Sequence, residues 1–73
     1  MTYVVMELQT TGNTTAVAPP VAYSDRNQAE AAWHSILSVA AVSQVEKHAV
    51  AIIAETGQVV KSECYYHPDE EAV

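Results

Sequence analysis

Four side chains in this sequence have the chemistry to hold a metal ion or move a proton: His34, His48, His67 and Cys64. Zinc takes nitrogen and thiolate ligands of these types. Their spacing matches none of the compact ligand patterns, since no CxxC, HxH or HExxH occurs. Only folding can bring them together. Glu30 and His34 stand four apart and share a helix face. Such a pair is either half of an acid–base or metal site or, far more commonly, a solvated pair worth a few tenths of a kcal/mol. Cys64 as a nucleophile needs a neighbouring histidine and an electropositive setting. It sits instead between Glu63 and Tyr65, on the strand face of Val60, Ser62, Cys64 and Tyr66 that is expected to face the core, where a small buried hydrophobe belongs. Gly12 and Gly57 are the only glycines and both read as turns, so no phosphate-cradling loop is present. A Gly-x-Ser-x-Gly elbow is also missing. No catalytic, cofactor-binding or metal-ligating residue is assigned on this reading, and no cofactor is expected.

The elements that would position these groups are readable from periodicity. Residues 3–9 alternate, with Val4, Met6 and Leu8 on one side and Tyr3, Val5, Glu7 and Gln9 on the other. A turn centred on Gly12-Asn13 follows. Residues 16–23 return as at best an edge strand or extended arm, because Pro19 and Pro20 cannot donate to a ladder. Asp25, with Gln28 three residues on, opens a helix over 26–41. Its apolar stripe is Ala29, Ala32, Trp33, Ile36, Leu37 and Ala40. Residues 46–55 are apolar on both faces, as in a central strand. A tight turn at Glu55-Thr56-Gly57-Gln58 leads into a last alternating strand over 58–66.

Seventy-three residues make one domain, read as 1–67, with a short acidic tail at 68–73. The expected fold class is α+β: a two-layer sandwich of one helix on an antiparallel sheet of three to four strands. Trp33, Ile36 and Leu37 are expected to pack on Val4, Met6 and Leu8. The opposite sheet face, with no second helix to cover it, would present Tyr3, Val5, Val59 and Tyr65 as a candidate interface. A chain this small, with one cysteine and no internal disulfide, gains from a partner subunit.

Charge excludes several functions. The net charge is −6, and Arg26, Lys47 and Lys61 are the only cations besides the histidines. Nucleic-acid binding runs on clustered Lys and Arg, so neither direct nucleic-acid contact nor an anionic membrane surface is expected. No apolar run approaches the ~20 residues of a membrane span. The N-terminal residues lack a signal-peptide pattern, so a cytoplasmic location is expected.

The segments Tyr23-x-Asp25-Arg26-Asn27-x-Ala29-Glu30, His34-x-Ile36-Leu37, Ala40-Ala41-Val42-Ser43, His48-Ala49-Val50 and Lys61-Ser62-Glu63-Cys64-Tyr65 carry a resemblance over most of the chain. The sequence resembles a set of short proteins without assigned activity, encoded by gut-dwelling Gram-positive bacteria and their prophages. That resemblance implies a mobile-element origin and transfers no functional residue. The expected function is a non-enzymatic, homodimeric interaction or accessory protein. The alternative is a small metal- or ligand-binding protein using His34, His48, His67 and Cys64.

Overall fold

The computed structural model describes residues 1–67, and the acidic tail read at 68–73 lies outside the described residues. The chain order is β1 (Tyr3–Thr11), β2 (Thr14–Val17), β3 (Val21–Tyr23), α1 (Arg26–Ala41), β4 (Lys47–Ala54) and β5 (Val59–Tyr66). The architecture is α+β, with one helix packed on an open antiparallel sheet. The sheet has five strands where three to four are expected. The extra strand comes from the proline segment. Pro19 and Pro20 split the returning arm into β2 and β3, and both halves pair with the same edge of β1. The order across the sheet is β2-β1-β4-β5, with β3 beside β2 along β1.

Local chemistry sets each boundary. Gly12 adopts φ +61 in a two-residue connection closed by the Thr11–Thr14 pair. Glycine at the first central position is what the twist-compatible II′ hairpin demands. Gly57, at φ +94, ends the β4–β5 turn, where its N–H donates to the Ala54 carbonyl at 2.8 Å. Asp25 caps α1, and its carboxylate accepts from the Asn27 N–H at 3.3 Å.

The core lies between α1 and one face of the sheet. Trp33 and Ala29 pack on Val5, Val50 and Ile52, with Tyr3, Tyr23, Ile36, Leu37 and Val60 around them. The indole Nε1–H of Trp33 donates to the Val50 carbonyl at 3.2 Å, which fixes the helix over the central strand. This corrects the expected face. The helix covers the odd residues of β1, Tyr3 and Val5, and not Val4, Met6 and Leu8. Both faces of β1 and β4 are apolar, so alternation alone leaves the choice open. It is the cross-strand register, Val5 with Ile52 and Glu7 with Val50, that joins the odd β1 row to the buried even β4 row.

Candidate functional site

The three histidines are held apart and each has a structural partner. His48 is 2% exposed on the helix side of β4. Its Nε2 meets the Glu7 carboxylate, and its Nδ1 lies 3.1 Å from the Ser43 hydroxyl. With Glu7 accepting from Nε2–H, Nδ1 accepts from the Ser43 O–H. The order Ser43–His48–Glu7 is that of a hydrolase relay, but its setting is wrong for one. The Ser43 oxygen already accepts the Val45 N–H at 3.1 Å. Ser43 also follows the C-terminal end of α1, where the negative end of the helix dipole opposes an oxyanion. The cluster acts as a clamp that joins β1, β4 and the α1–β4 loop. His67 donates from Nε2 to the Ala40 carbonyl at 2.9 Å, which satisfies an end carbonyl of α1. His34 is exposed and lies edge-on to Trp33.

Glu30 does not pair with His34. Arg26, at 2.8 Å, and Lys61, at 3.0 Å, each take one of its carboxylate oxygens. Lys61 also lies 5.1 Å from the centre of the Trp33 ring. The hydrogen bond from Arg26 and then that from Lys61 hold the Glu30 carboxyl below the usual glutamate range. Cys64 is exposed on the side of the sheet opposite His48, which corrects its expected place in the core. Among the described residues no three His, Cys, Asp or Glu side chains group as metal ligands.

The four residues of the candidate interface separate in the structure. Val5 is 4% exposed in the core and Tyr3 packs against it. Tyr65 pairs with His48 and therefore shares the helix side. Val59 alone of the four, 54% exposed opposite Ile53, stands on the face without a helix.

That open face has a distinctive composition. By register and alternation its rows are Ala22–Val4–Ile53–Val59, then Met6–Ala51–Ser62, then Val17–Leu8–Ala49–Cys64, and finally Thr15–Thr10–Lys47–Tyr66. Lys47, at one end, is the one formal charge among these strand residues. Glu7, Lys61 and Glu63 all lie on the other face, at the rim of α1. An antiparallel sheet with one solvated face normally alternates polar residues outward. Here the first three outward rows are apolar but for Ser62, and only the last row, with Thr15, Thr10 and Lys47, is polar. Val17, Val59 and Tyr66 are each more than half exposed. A shallow hollow of about 410 Å³ opens over Ala49, Ala51, Ser62 and Cys64, with Leu8 as one wall. A smaller one of about 270 Å³, near Tyr3, Arg26 and Val60, lies at the helix N-terminal end.

Comparison with family models, curated proteins and solved structures finds no match for the chain. Among the described residues no helix is long and apolar enough to cross a membrane.

Proposed function

We propose that the protein is a non-enzymatic interaction protein that works as a homodimer through the open face of its sheet. The observation that carries this reading is the apolar outward face, from Val4, Met6 and Leu8 across Ala49, Ala51 and Ile53, with its one charge at the end. Four strand positions about 4.8 Å apart and about eight residues long give a face of roughly 500 Å² per copy in projection. Pairing two such faces approaches the ~1,000 Å² total at which specific interfaces begin, before side-chain relief is counted. Among the described residues the carboxylates sit on the opposite face, on α1 and in the turns, so this face itself carries no negative charge. An accessory role inside the cell suits a domain of this size with a single free thiol.

Sedimentation equilibrium at micromolar concentration tests the proposal. The expected result is twice the chain mass for the wild type. Ile53→Asp is expected to give a monomer, and Val39→Asp, on the exposed side of α1, is expected to leave the dimer intact. A folded wild-type monomer would overturn the proposal. The metal- or ligand-binding reading has less support, because His48 and Cys64 lie on opposite faces of the sheet. Stoichiometric zinc in elemental analysis of the purified protein would restore it.

A further inference from the structure

We infer that the dimer is a face-to-face sandwich whose two-fold axis lies between the two sheets, parallel to the strands and above the seam of β1 with β4. This rests on the homodimer proposed above and specifies its geometry. The argument is shape. The open face is divided into a ridge and a trough. The ridge is Met6 and Leu8 on β1, and the trough is Ala49 and Ala51 on β4 with Ser62 and Cys64 on β5. Ile53 and Val59 close the trough at one end, and Lys47 and Tyr66 close it at the other.

The seam of β1 with β4 is also the midline of the sheet, with β2 and β3 outside β1 and with β5 outside β4. A two-fold axis along that midline lays β1 over the partner's β4, and the β2/β3 edge over the partner's β5. Each row then meets its own reverse. Leu8 sits over the partner's Ala49, Met6 over the partner's Ala51, Val17 over the partner's Cys64, and Ala22 over the partner's Val59. Large faces small at these positions, most strongly at Leu8 and Met6, and the symmetry repeats each contact. At the end of the seam Val4 meets the partner's Ile53, both large, where the twist of the facing sheets splays them apart. Facing sheets pack within about 30° of alignment, so the match is tightest near the axis, at the Met6 and Leu8 rows. Lys47 falls at the end of the sandwich, in the polar rim where a charge costs little. Edge pairing through β5, by contrast, would leave both apolar faces in water.

The test uses two full-length variants, Ala51→Leu and Met6→Ala, each checked for folding by circular dichroism. In the Ala51→Leu homodimer, Met6 meets a leucine at both symmetric contacts. The dissociation constant is expected to rise on the order of a hundredfold, since overpacking is penalised twice. In the Met6→Ala homodimer, alanine faces alanine and two voids open. Mixed together, the two variants form a heterodimer with one native contact and one swapped contact of conserved volume. Met6 and Ala51 are also neighbours within one sheet, and mixing separates the effects because intrachain contacts do not change on exchange. Native mass spectrometry of an equimolar mixture is expected to show heterodimer well above the statistical share of about half, since volume-conserving swaps are tolerated best. Leu8→Ala with Ala49→Leu, in the adjacent row, serves if either chain fails to fold. A statistical mixture from a dimeric wild type, or homodimers insensitive to both variants, overturns the ridge-in-trough geometry. A monomeric wild type overturns the homodimer itself.

Discussion

Removing the Trp33 side chain is the most informative single perturbation of the fold. Trp33 is 8% exposed and contacts the core residues of β1 and β4. Truncating a buried tryptophan to alanine costs about 3–5 kcal/mol. Loss of the Lys61 contact with the ring adds about 0.5–1 kcal/mol. A domain of this length has a total stability of roughly 4–11 kcal/mol. Trp33→Ala therefore removes from about a third of it to all of it. Trp33→Phe keeps most of the packing and gives up the hydrogen bond to the Val50 carbonyl, for about 1–2 kcal/mol. The assay is urea unfolding followed by far-UV circular dichroism, because Trp33 is the only tryptophan and its fluorescence is lost. Protein concentration is held fixed, since dimerisation adds to apparent stability. With a slope near 1 kcal/mol per M for so small a chain, the alanine variant should unfold about 3.5–6 M earlier or be unfolded in buffer. The phenylalanine variant should fall between it and the wild type. An alanine variant with the wild-type midpoint would refute the placement of Trp33 in the core.

Gly57→Ala is expected to cost about 1–2 kcal/mol in the same assay, because φ +94 is strained for any L side chain although the space beside it is open. His48→Ala should destabilise by about 2–4 kcal/mol by leaving the Glu7 carboxylate and Ser43 hydroxyl without their shared partner, and an unchanged midpoint would refute the clamp. The Glu30 carboxyl is lowered in the folded state, so its contribution is present above the unfolded value near 4.5 and is lost as pH falls through the lower folded value. Below pH 4.5 the melting temperature of the wild type should therefore fall more steeply than that of Glu30→Gln, and a steeper fall in the variant would contradict the pairing with Arg26 and Lys61. Cys64 lies within the proposed interface, so a bulky maleimide should label it quickly in dilute protein and slowly at concentrations that favour the dimer; equal rates would count against burial of this face.

The elements are legible in the sequence to within a residue or two, because each has a clean period and a chemical stop. Asp25 starts the helix, Gly12 and Gly57 turn the hairpins, and the prolines interrupt the arm. The choice of face is not legible. In β5, Lys61 and Glu63 suggest an outward row, and Val60, Ser62, Cys64 and Tyr66 an inward one. The structure reverses this for two reasons. β5 is an edge strand that α1 covers only partly, so Lys61 and Glu63 can share the helix side and still reach water or Glu30. A register shift opposite Ile52 and Ile53 also breaks the alternation at Val60, which joins the core although Ser62 and Cys64 do not. An irregularity of one residue turns a whole row over, and composition carries no sign of it. The histidine clamp escapes notice for another reason: Glu7 and His48 are far apart in sequence, and only the pairing of β1 with β4 brings them together.

That pairing has a kinetic consequence. β1 with β2, and β4 with β5, are hairpins closed by short turns, so each half can form locally within microseconds. The seam between β1 and β4 joins the first hairpin to the last, across β2, β3 and the whole of α1. Its loop-closure entropy must be met before its contacts repay it. Docking of the two hairpins, with Trp33 sealing the join at Val50, is therefore the expected rate-limiting event. Substitutions along the seam, such as Val5→Ala or Ile52→Val, should slow folding. Substitutions in β2 or at the far end of β5 should act mainly by hastening unfolding.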